Sequence, residues 1–173
     1  MNPVLGIFGG TFDPIHCGHL ELARELRATL GFSAVRFIPA GDPPHRAAPV
    51  ATAAHRLAMV ELAVAGHQGL EVDAREIRRM GRSYTVPTLE ELRNEVPSRS
   101  LALIVGSDAF LGLPTWHRWR ELFDLAHLVV VARPGVTLDS KMPPLLADEW
   151  TGRLRRDPAA LTAEPAGAII MQP

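Results

Sequence analysis

The chain has a single cysteine, Cys17, among its 173 residues. One cysteine excludes an internal disulfide framework and is typical of a reducing compartment. No apolar run approaches the length of a membrane span, and the N-terminus lacks the basic and long apolar regions of a signal peptide. These absences predict a cytoplasmic protein without a membrane partner.

An excess of charge of one sign is also missing, because 18 Lys and Arg stand against 19 Asp and Glu, for a formal net charge of −1. Without a general basic surface, the chain is not suited to wrapping nucleic acid, so small ligands are the expected partners. Its 47% apolar and 21% charged residues are typical of a globular protein. The length predicts one domain, residues 1–173, with a sizeable core. No particular oligomeric state is predicted.

Short apolar runs alternate with helical patterns along most of the chain. The runs predict strands at residues 4–8, 35–38, 70–72, 101–105 and 128–131. Helices are predicted between and after them, at residues 18–30, 52–65, 88–94, 107–113 and 115–125. Continuous apolar strands separated by helices indicate a mostly parallel sheet covered on both faces, which is the doubly wound α/β architecture.

Capping residues mark the start of two of these helices. Thr52 is placed to cap the second helix, and Thr88, with Glu91 three residues later, has the pattern of a capping box. Beyond residue 135, prolines, acids and arginines replace the alternation. No internal repeat, second domain or clear further element is predicted there.

The strongest functional signal lies in residues 9–19. Gly9 and Gly10 leave the first predicted strand and enter the first predicted helix, where a backbone can approach a phosphate. A second turn, at residues 106–108, follows the strand at residues 101–105. Because the carboxyl ends of parallel strands meet at one edge, both turns are expected at the edge where ligands bind.

Other common motifs do not match this turn. It is neither G-x-G-x-x-G nor a Walker A loop, because no G-K-[ST] follows, and the G-x-S-x-G elbow of hydrolases does not occur. By itself the glycine turn is compatible with a plain strand-to-helix connection.

Two histidines, His16 and His19, add chemistry to the glycine turn. Three residues apart, they are expected in the first helical turn on nearly the same face. A zinc site is less favoured, because Cys17 points to another face and no second cysteine exists. The combination predicts a site for nucleotide phosphate chemistry.

The segment from Gly10 to His19, GTFDPIHCGH, resembles the signature of the (H/T)-x-G-H nucleotidyltransferase superfamily. Further segments are similar, in order, to bacterial nicotinate-nucleotide adenylyltransferases: PPHR at 43–46, HRLAM at 55–59, SYT at 83–85, GSD at 106–108, PTW at 114–116 and RPG at 133–135. The resemblance covers about residues 4–135. It implies a Rossmann-like nucleotidyltransferase fold.

The resemblance also implies a reaction. Members of this family transfer the adenylyl group of ATP to nicotinate mononucleotide, which gives deamido-NAD and pyrophosphate in NAD biosynthesis. Mg²⁺ is implied as the partner of ATP, carried by its phosphates, without a dedicated metal site built from protein side chains. The attacking phosphate is already an anion, so no activated side-chain nucleophile is needed.

Roles for individual residues follow from the same resemblance. The implied catalytic residues are His16 and His19. The implied ATP-binding residues are Gly9, Gly10, Thr11, Phe12, Gly18, Gly106, Asp108 and Arg133. The implied mononucleotide-binding residues are His45, Arg46, Tyr84, Thr85 and Trp116, with Trp116 as the platform for the pyridine ring.

Several of these residues have a structural alternative. Phe12 is equally compatible with the apolar core, the alternative for Trp116 is a place in the core, and Trp119 is expected there. Ser107 or Asp108 is well suited to cap the helix that follows. Arg46 is compatible with a solvated loop.

One departure from the family's pattern concerns the C-terminus. The family carries a second signature, I-S-x-T-x-[IL]-R, which holds the ATP phosphates, and residues 152–173 contain no match. The chain reaches residues 169–173 about where a last strand would lead into that motif, so the domain is expected to lack this segment. This absence motivates one alternative, a nucleotide-binding module without turnover. A separate alternative is a sister adenylyltransferase acting on phosphopantetheine or nicotinamide mononucleotide, although Trp116 with Tyr84 and Thr85 favours a pyridine substrate.

Overall fold

The computed structural model describes residues 3–44, 48–132 and 138–173. Within these residues, seven strands form one sheet in which every neighbouring pair is parallel. The strands are β1 (Val4–Gly10), β2 (Phe32–Pro39), β3 (Leu70–Val72), β4 (Ser100–Gly106), β5 (His127–Val131), β6 (Leu154–Arg155) and β7 (Ile169–Gln172). Their order across the sheet is β3-β2-β1-β4-β5-β7-β6, which confirms the predicted doubly wound α/β fold.

Helices cover both faces of this sheet. The α-helices of the described residues are α1 (Cys17–Thr29), α2 (Ala53–Val64), α3 (Arg75–Arg78), α4 (Thr85–Glu95), α5 (Ser107–Leu111), α6 (Leu122–Leu125), α7 (Leu138–Lys141), α8 (Pro144–Arg153) and α9 (Ala160–Ala163). Two 3₁₀-helices lie at Leu113–Thr115 and Trp119–Glu121. In the described part of the chain, no helix combines the length and apolarity needed to cross a bilayer.

The core has two halves, one on each face of the sheet. Leu103 of β4 packs into the half covered by α4, α6 and α8, and the next residue, Ile104, packs into the half covered by α1, α2 and α9. Side chains alternate between the faces of a strand, so a strand buried on both faces must be apolar throughout. This is why the central strands appear in the sequence as unbroken apolar runs.

The strand order reverses between β1 and β4. The connections from β1 lead towards β2 and β3, whereas those from β4 lead towards β5. Leu5 pairs with Leu101 and Ile7 with Leu103, so the carboxyl ends of the two strands, at Gly10 and Gly106, lie at the same edge. Such a reversal leaves a crevice between the diverging connections.

The predicted cap of α2 is confirmed, and that of α4 is wrong. Thr52 accepts the His55 N–H through its hydroxyl at 3.3 Å. By contrast, α4 begins at Thr85, because Pro87 fits a first helical turn where its missing N–H costs nothing. Thr88 is thereby enclosed in the helix, where its buried hydroxyl bonds a neighbouring carboxylate instead of capping.

The helix predicted at residues 115–125 is also interrupted. It consists of the second 3₁₀-helix and α6, preceded by an irregular segment at residues 116–118. The interruption has a local cause, because Arg118 has a left-handed backbone with φ 54° and ψ 35°, which an α-helix cannot contain.

Residues beyond 135 contain more structure than the pattern predicted. Pro144 occupies the start of α8, where a proline is favourable, so prolines that suggest a loop here begin a helix. The apolar residues near the C-terminus form β7, which pairs with β5 and carries β6 at the sheet edge.

Candidate active site

A cleft of about 1140 Å³ opens at the carboxyl edge of the sheet, at the ends of β1 and β4. It is lined by every site residue predicted from the sequence that lies within the described residues: Gly9, Gly10, Thr11, Phe12, His16, Gly18, His19, Tyr84, Thr85, Gly106, Asp108 and Trp116. Residues separated by about a hundred positions in the sequence therefore meet in one cavity. The predicted residues His45, Arg46 and Arg133 lie outside the described residues.

Gly9 and Gly10 form the floor of the cleft, and their missing side chains have different consequences. A Cβ on Gly9 would meet no atom within 4 Å, so this position is open towards the cleft. A Cβ on Gly10 would lie 3.0 Å from the ring of Phe12. The strand end is therefore bare where a ligand can approach and tightly packed one residue later.

Phe12 both packs in the core and lines the cleft, so the two alternatives predicted for it are not exclusive. Its side chain is only 4% exposed and packs in the core, with its ring centroid 5.8 Å from that of Phe8. Its backbone has a φ of 49°, in the left-handed region that is unfavourable for a bulky residue. The buried ring therefore fixes an unusual backbone turn that itself lines the cleft.

His16 and His19 form a compact pair at the start of α1. His16 is the N-cap residue, so it precedes the helix rather than lying within its first turn as predicted. The two rings are 3.8 Å apart between centroids, and the backbone N–H of His16 donates to Nδ1 of His19 at 3.2 Å. Because Nδ1 accepts, the neutral His19 ring carries its proton on Nε2.

Neighbouring residues hold this pair in place. The His19 ring contacts the rings of Phe8 and Phe12 edge-on, at 5.8 and 5.2 Å. A Cβ on Gly18 would lie 3.2 Å from Nδ1 of His16, so glycine leaves room for that ring. Two imidazoles thus lie beside the N-terminus of a 13-residue helix, whose dipole favours an anion.

Asp108 lies on the opposite wall of the cleft, after β4. Gly106 occupies the N-cap position of α5, so the proposed capping by Ser107 or Asp108 is not observed. Ser107 is fully buried, whereas Asp108 is exposed and lines the cleft. The acidic side chain therefore faces the region where a ligand would lie.

Aromatic residues gather at one end of the cleft. Tyr84 and Thr85 stand at the start of α4, and the ring of Tyr84 stacks on that of His117 at 4.5 Å. Trp116 is half-buried, with its ring packed on the core and also lining the cleft. Trp119 is 7% exposed and belongs to the core, as predicted. A flat ligand ring would find an aromatic surface here.

Arg56 is a feature of the site that sequence reasoning missed. It is 1% exposed on α2, and its guanidinium donates to the carbonyls of Thr11 and Ala40, both at 2.7 Å. Further bonds reach the carbonyls of Gly41 and Ala51. Burial lowers the pKa of Arg56 from its ordinary value, and nearby Asp13 opposes that shift. One side chain thus ties the glycine turn to the loop that follows β2.

The buried carboxylate residue Glu76 contributes to holding the loop that follows β2. It is 8% exposed and accepts the Thr88 hydroxyl at 2.6 Å. Burial raises the pKa of Glu76, and hydrogen bonds from Thr88 and Ser83 limit the rise. The Ser83 hydroxyl also accepts the N–H of Gly41 at 2.9 Å, and a Cβ on Gly41 would lie 2.4 Å from the Glu76 carbonyl oxygen. The loop therefore depends on a close approach that only glycine permits.

Across residues 3–44, 48–132 and 138–173, no group of three or more His, Cys, Asp or Glu side chains is arranged to hold a metal ion.

The sequence matches the cytidylyltransferase-like family over residues 7–163. It is 54% identical over 172 residues to a protein of Dechloromonas aromatica, covering 98% of this chain and 79% of that one. It is 51% identical over 168 residues to a protein of Halorhodospira halophila, covering 97% and 76%. Both carry the name "probable nicotinate-nucleotide adenylyltransferase". The chain spans about three quarters of the length of these relatives.

A solved structure shares the fold at low sequence identity. It is the Plasmodium falciparum nicotinic acid mononucleotide adenylyltransferase complexed with NaAD, with a TM-score of 0.69 and 15% identity, covering 99% of this chain and 76% of that one. The fold, the cleft and the relatives agree, and the chain belongs to the cytidylyltransferase-like family and, within it, to the nicotinate-nucleotide adenylyltransferases.

Proposed function

We propose that the protein transfers the adenylyl group of ATP to nicotinate mononucleotide, releasing pyrophosphate and forming deamido-NAD. The observation that carries this proposal is that one cleft holds both the histidine pair beside the glycine turn and the aromatic end at Trp116. One part suits phosphates and the other suits a flat ring. The names of the relatives, and the NaAD bound to the Plasmodium protein of the same fold, support the same reaction.

The reaction needs positioning and charge stabilisation more than a base. An oxygen of the mononucleotide phosphate attacks the α-phosphorus of ATP, and the bond from that phosphorus to the bridging oxygen of pyrophosphate breaks. The attacking oxygen is already anionic, so no proton must be removed first. Catalysis then depends on holding the two reactants in line and on stabilising the negative charge.

His16 and His19 are proposed to supply that stabilisation. The bond from the His16 N–H to Nδ1 selects the tautomer with the proton on Nε2, and we propose this N–H as a donor for a phosphate oxygen. The N-terminus of α1 and the main chain of residues 9–12 add further N–H donors. We assign the binding of ATP to this part of the cleft and to Gly106 and Asp108. When bound with ATP, Mg²⁺ would neutralise charge on the ATP phosphates.

The mononucleotide is proposed to occupy the aromatic end. Trp116 offers a face for the pyridine ring, and Tyr84 and Thr85 stand at the start of the 11-residue helix α4. The first N–H groups of a helix have no partner within it, so this end favours the carboxylate of nicotinate over an uncharged amide. A role in the cytoplasm, where NAD precursors and ATP are available, belongs to the same proposal.

The test is release of pyrophosphate from ATP and Mg²⁺, with nicotinate mononucleotide and nicotinamide mononucleotide in parallel. We expect release with the nicotinate form, a slower reaction with the amide, and loss of activity in His19→Ala. Release only with the amide would overturn the assigned substrate. ATP binding by calorimetry without release from either substrate would instead identify a nucleotide-binding module.

A further inference from the structure

Arg118 follows the cleft-lining residues Trp116 and His117 and has an unfavourable backbone. Its φ of 54° lies in the left-handed region, where a residue with a Cβ is strained. Such conformations persist when surrounding contacts enforce them, and they cluster at binding sites.

Two carboxylates hold the guanidinium of Arg118. Glu121, three residues further along the chain in the second 3₁₀-helix, accepts from Nε at 2.9 Å. Glu90, on α4, accepts from Nη2 at 2.6 Å and from Nη1 at 3.4 Å. Only the Glu90 pair joins two separate elements, the segment at residues 116–118 and the helix that begins with Thr85. All three side chains are partly exposed, so each ion pair is of modest strength.

A second contact joins the same two elements. The stacked rings of Tyr84 and His117 connect the start of α4 to the segment just before Arg118. On the inner side, Trp116 and Trp119 pack against the core. The 116–118 segment is thus fastened on one side by the core and on the other by α4, and the spacing between them shapes the aromatic end of the cleft.

We propose that the ion pair between Arg118 and Glu90 is a positioning device that holds Trp116 and His117 against the start of α4, and so sets the affinity for the mononucleotide. Neither Arg118 nor Glu90 lines the cleft, so both act through the residues they hold. The glycine turn and the histidine pair belong to other elements, and the binding of ATP is independent of this pair. The inference rests on the proposed function, since it assumes that the mononucleotide occupies the aromatic end.

The test compares Glu90→Gln, Arg118→Gln and the double variant with the wild type. For each, KM and kcat are measured with nicotinate mononucleotide and with ATP, and Kd for nicotinate mononucleotide is measured by calorimetry. We expect each single variant to raise KM and Kd for the mononucleotide by about threefold to fivefold, the range of an exposed ion pair. Both kcat and the KM for ATP should stay within about twofold. The double variant should raise the KM and Kd for the mononucleotide no more than the single variant with the larger effect, because the two substitutions remove the same ion pair.

The matched control is Glu95→Gln, which removes the same charge from the same helix. Glu95 pairs with Arg75 at 2.9 Å, away from the 116–118 segment, and its variant should leave the mononucleotide KM unchanged. Arg118→Gly distinguishes an effect of the strained backbone from an effect of the guanidinium. Glycine removes the guanidinium and also adopts the left-handed turn without strain. A raised mononucleotide KM in this variant as well would assign the effect to the guanidinium.

The outcomes separate this inference from the proposed function. If the wild type uses nicotinate mononucleotide and Glu90→Gln leaves its KM and Kd unchanged, the positioning role is wrong and the function stands. Equal rises in the KM for ATP and for the mononucleotide would indicate a general structural defect, which also overturns it. A wild type that neither binds nor uses the mononucleotide would overturn both.

Discussion

The backbone N–H of His16 donates to Nδ1 of His19 at 3.2 Å, which joins the cap of α1 to the third residue of that helix. The bond orients the His19 ring and selects the tautomer with its proton on Nε2. The turn that contains His16 therefore also fixes the orientation of the His19 ring.

Removing either imidazole should lower the rate more than it lowers stability. We expect His16→Ala and His19→Ala each to reduce kcat by about 10²-fold to 10³-fold, the usual effect of losing one donor to a developing charge. Pyrophosphate release checks the rate, and thermal unfolding checks the fold. The control is His55→Ala, an exposed histidine outside the cleft, which should behave as the wild type. A smaller loss than tenfold in His19→Ala would argue against a catalytic role.

Two glycines of β1 should respond differently to alanine. At Gly9 the added methyl group meets nothing, so Gly9→Ala should keep its stability while the KM for ATP rises about tenfold, equivalent to roughly 1.4 kcal/mol of binding. At Gly6 the methyl group would lie 2.8 Å from the ring of Phe32, so Gly6→Ala should lose about 1–3 kcal/mol of unfolding free energy. ATP kinetics and chemical denaturation of both variants check this. An unchanged KM in Gly9→Ala would show that ATP does not approach this strand end.

Loss of Arg56 should destabilise the whole protein. Arg56→Ala leaves the buried carbonyl of Ala40 and the partly buried carbonyl of Thr11 without their donor, so we expect the free energy of unfolding to fall by about 3 kcal/mol. Urea denaturation checks the value. Arg24→Ala, which removes an exposed arginine from α1, should stay within about 0.5 kcal/mol of the wild type. Similar losses in both variants would mean that the four carbonyl contacts do not stabilise the fold.

Stability should depend on pH through His127, which is fully buried at the start of β5. Its ring lies 2.8 Å from the Glu164 carbonyl through Nε2 and accepts the Ala168 N–H through Nδ1, an arrangement that requires a neutral ring. Burial, reinforced by the charge of Arg93, lowers the pKa of His127 below its ordinary value of 6.5.

The sign of the pH effect follows from that lowered pKa. The unfolded chain takes up a proton near pH 6.5 and the folded chain only at lower pH, so the free energy of unfolding should fall as the pH drops below about 6.5. Denaturation of the wild type and of His127→Gln at pH 7.5, 6.5 and 5.5 measures this pH dependence of the free energy of unfolding. The variant should be less stable at pH 7.5, and the difference should narrow at pH 5.5. A constant difference would contradict the role of His127.

The centre of the fold was predictable and its C-terminal part was not. Strands β1, β4 and β5 are buried on both faces, so their apolar runs are unbroken and their parallel arrangement can be predicted. The later elements β6 and α9 have two and four residues, too few for any periodicity to develop.

The candidate site likewise has one part that could be predicted from the sequence and another that could not. His16 and His19 are neighbours in the sequence, so a local motif was enough to predict that they act together. The contacts of Arg56 were not predictable, because its acceptors come from three separate segments, around Thr11, Ala40 and Ala51. On an amphipathic helix such an arginine has the pattern of a solvated side chain.

The pairing of β1 with β4 has a consequence for how the protein is made. Val4 pairs with Ser100, so β1 obtains this neighbour only when a segment about a hundred residues further along the chain has been synthesised. Such long-range parallel pairing forms slowly, since the entropy of closing a large loop must be overcome first. The glycine turn at the end of β1 is thus synthesised well before the opposite wall of the cleft, which follows β4. The cleft is therefore completed only after β4 has paired with β1, and any change that delays β4 delays the appearance of the candidate site.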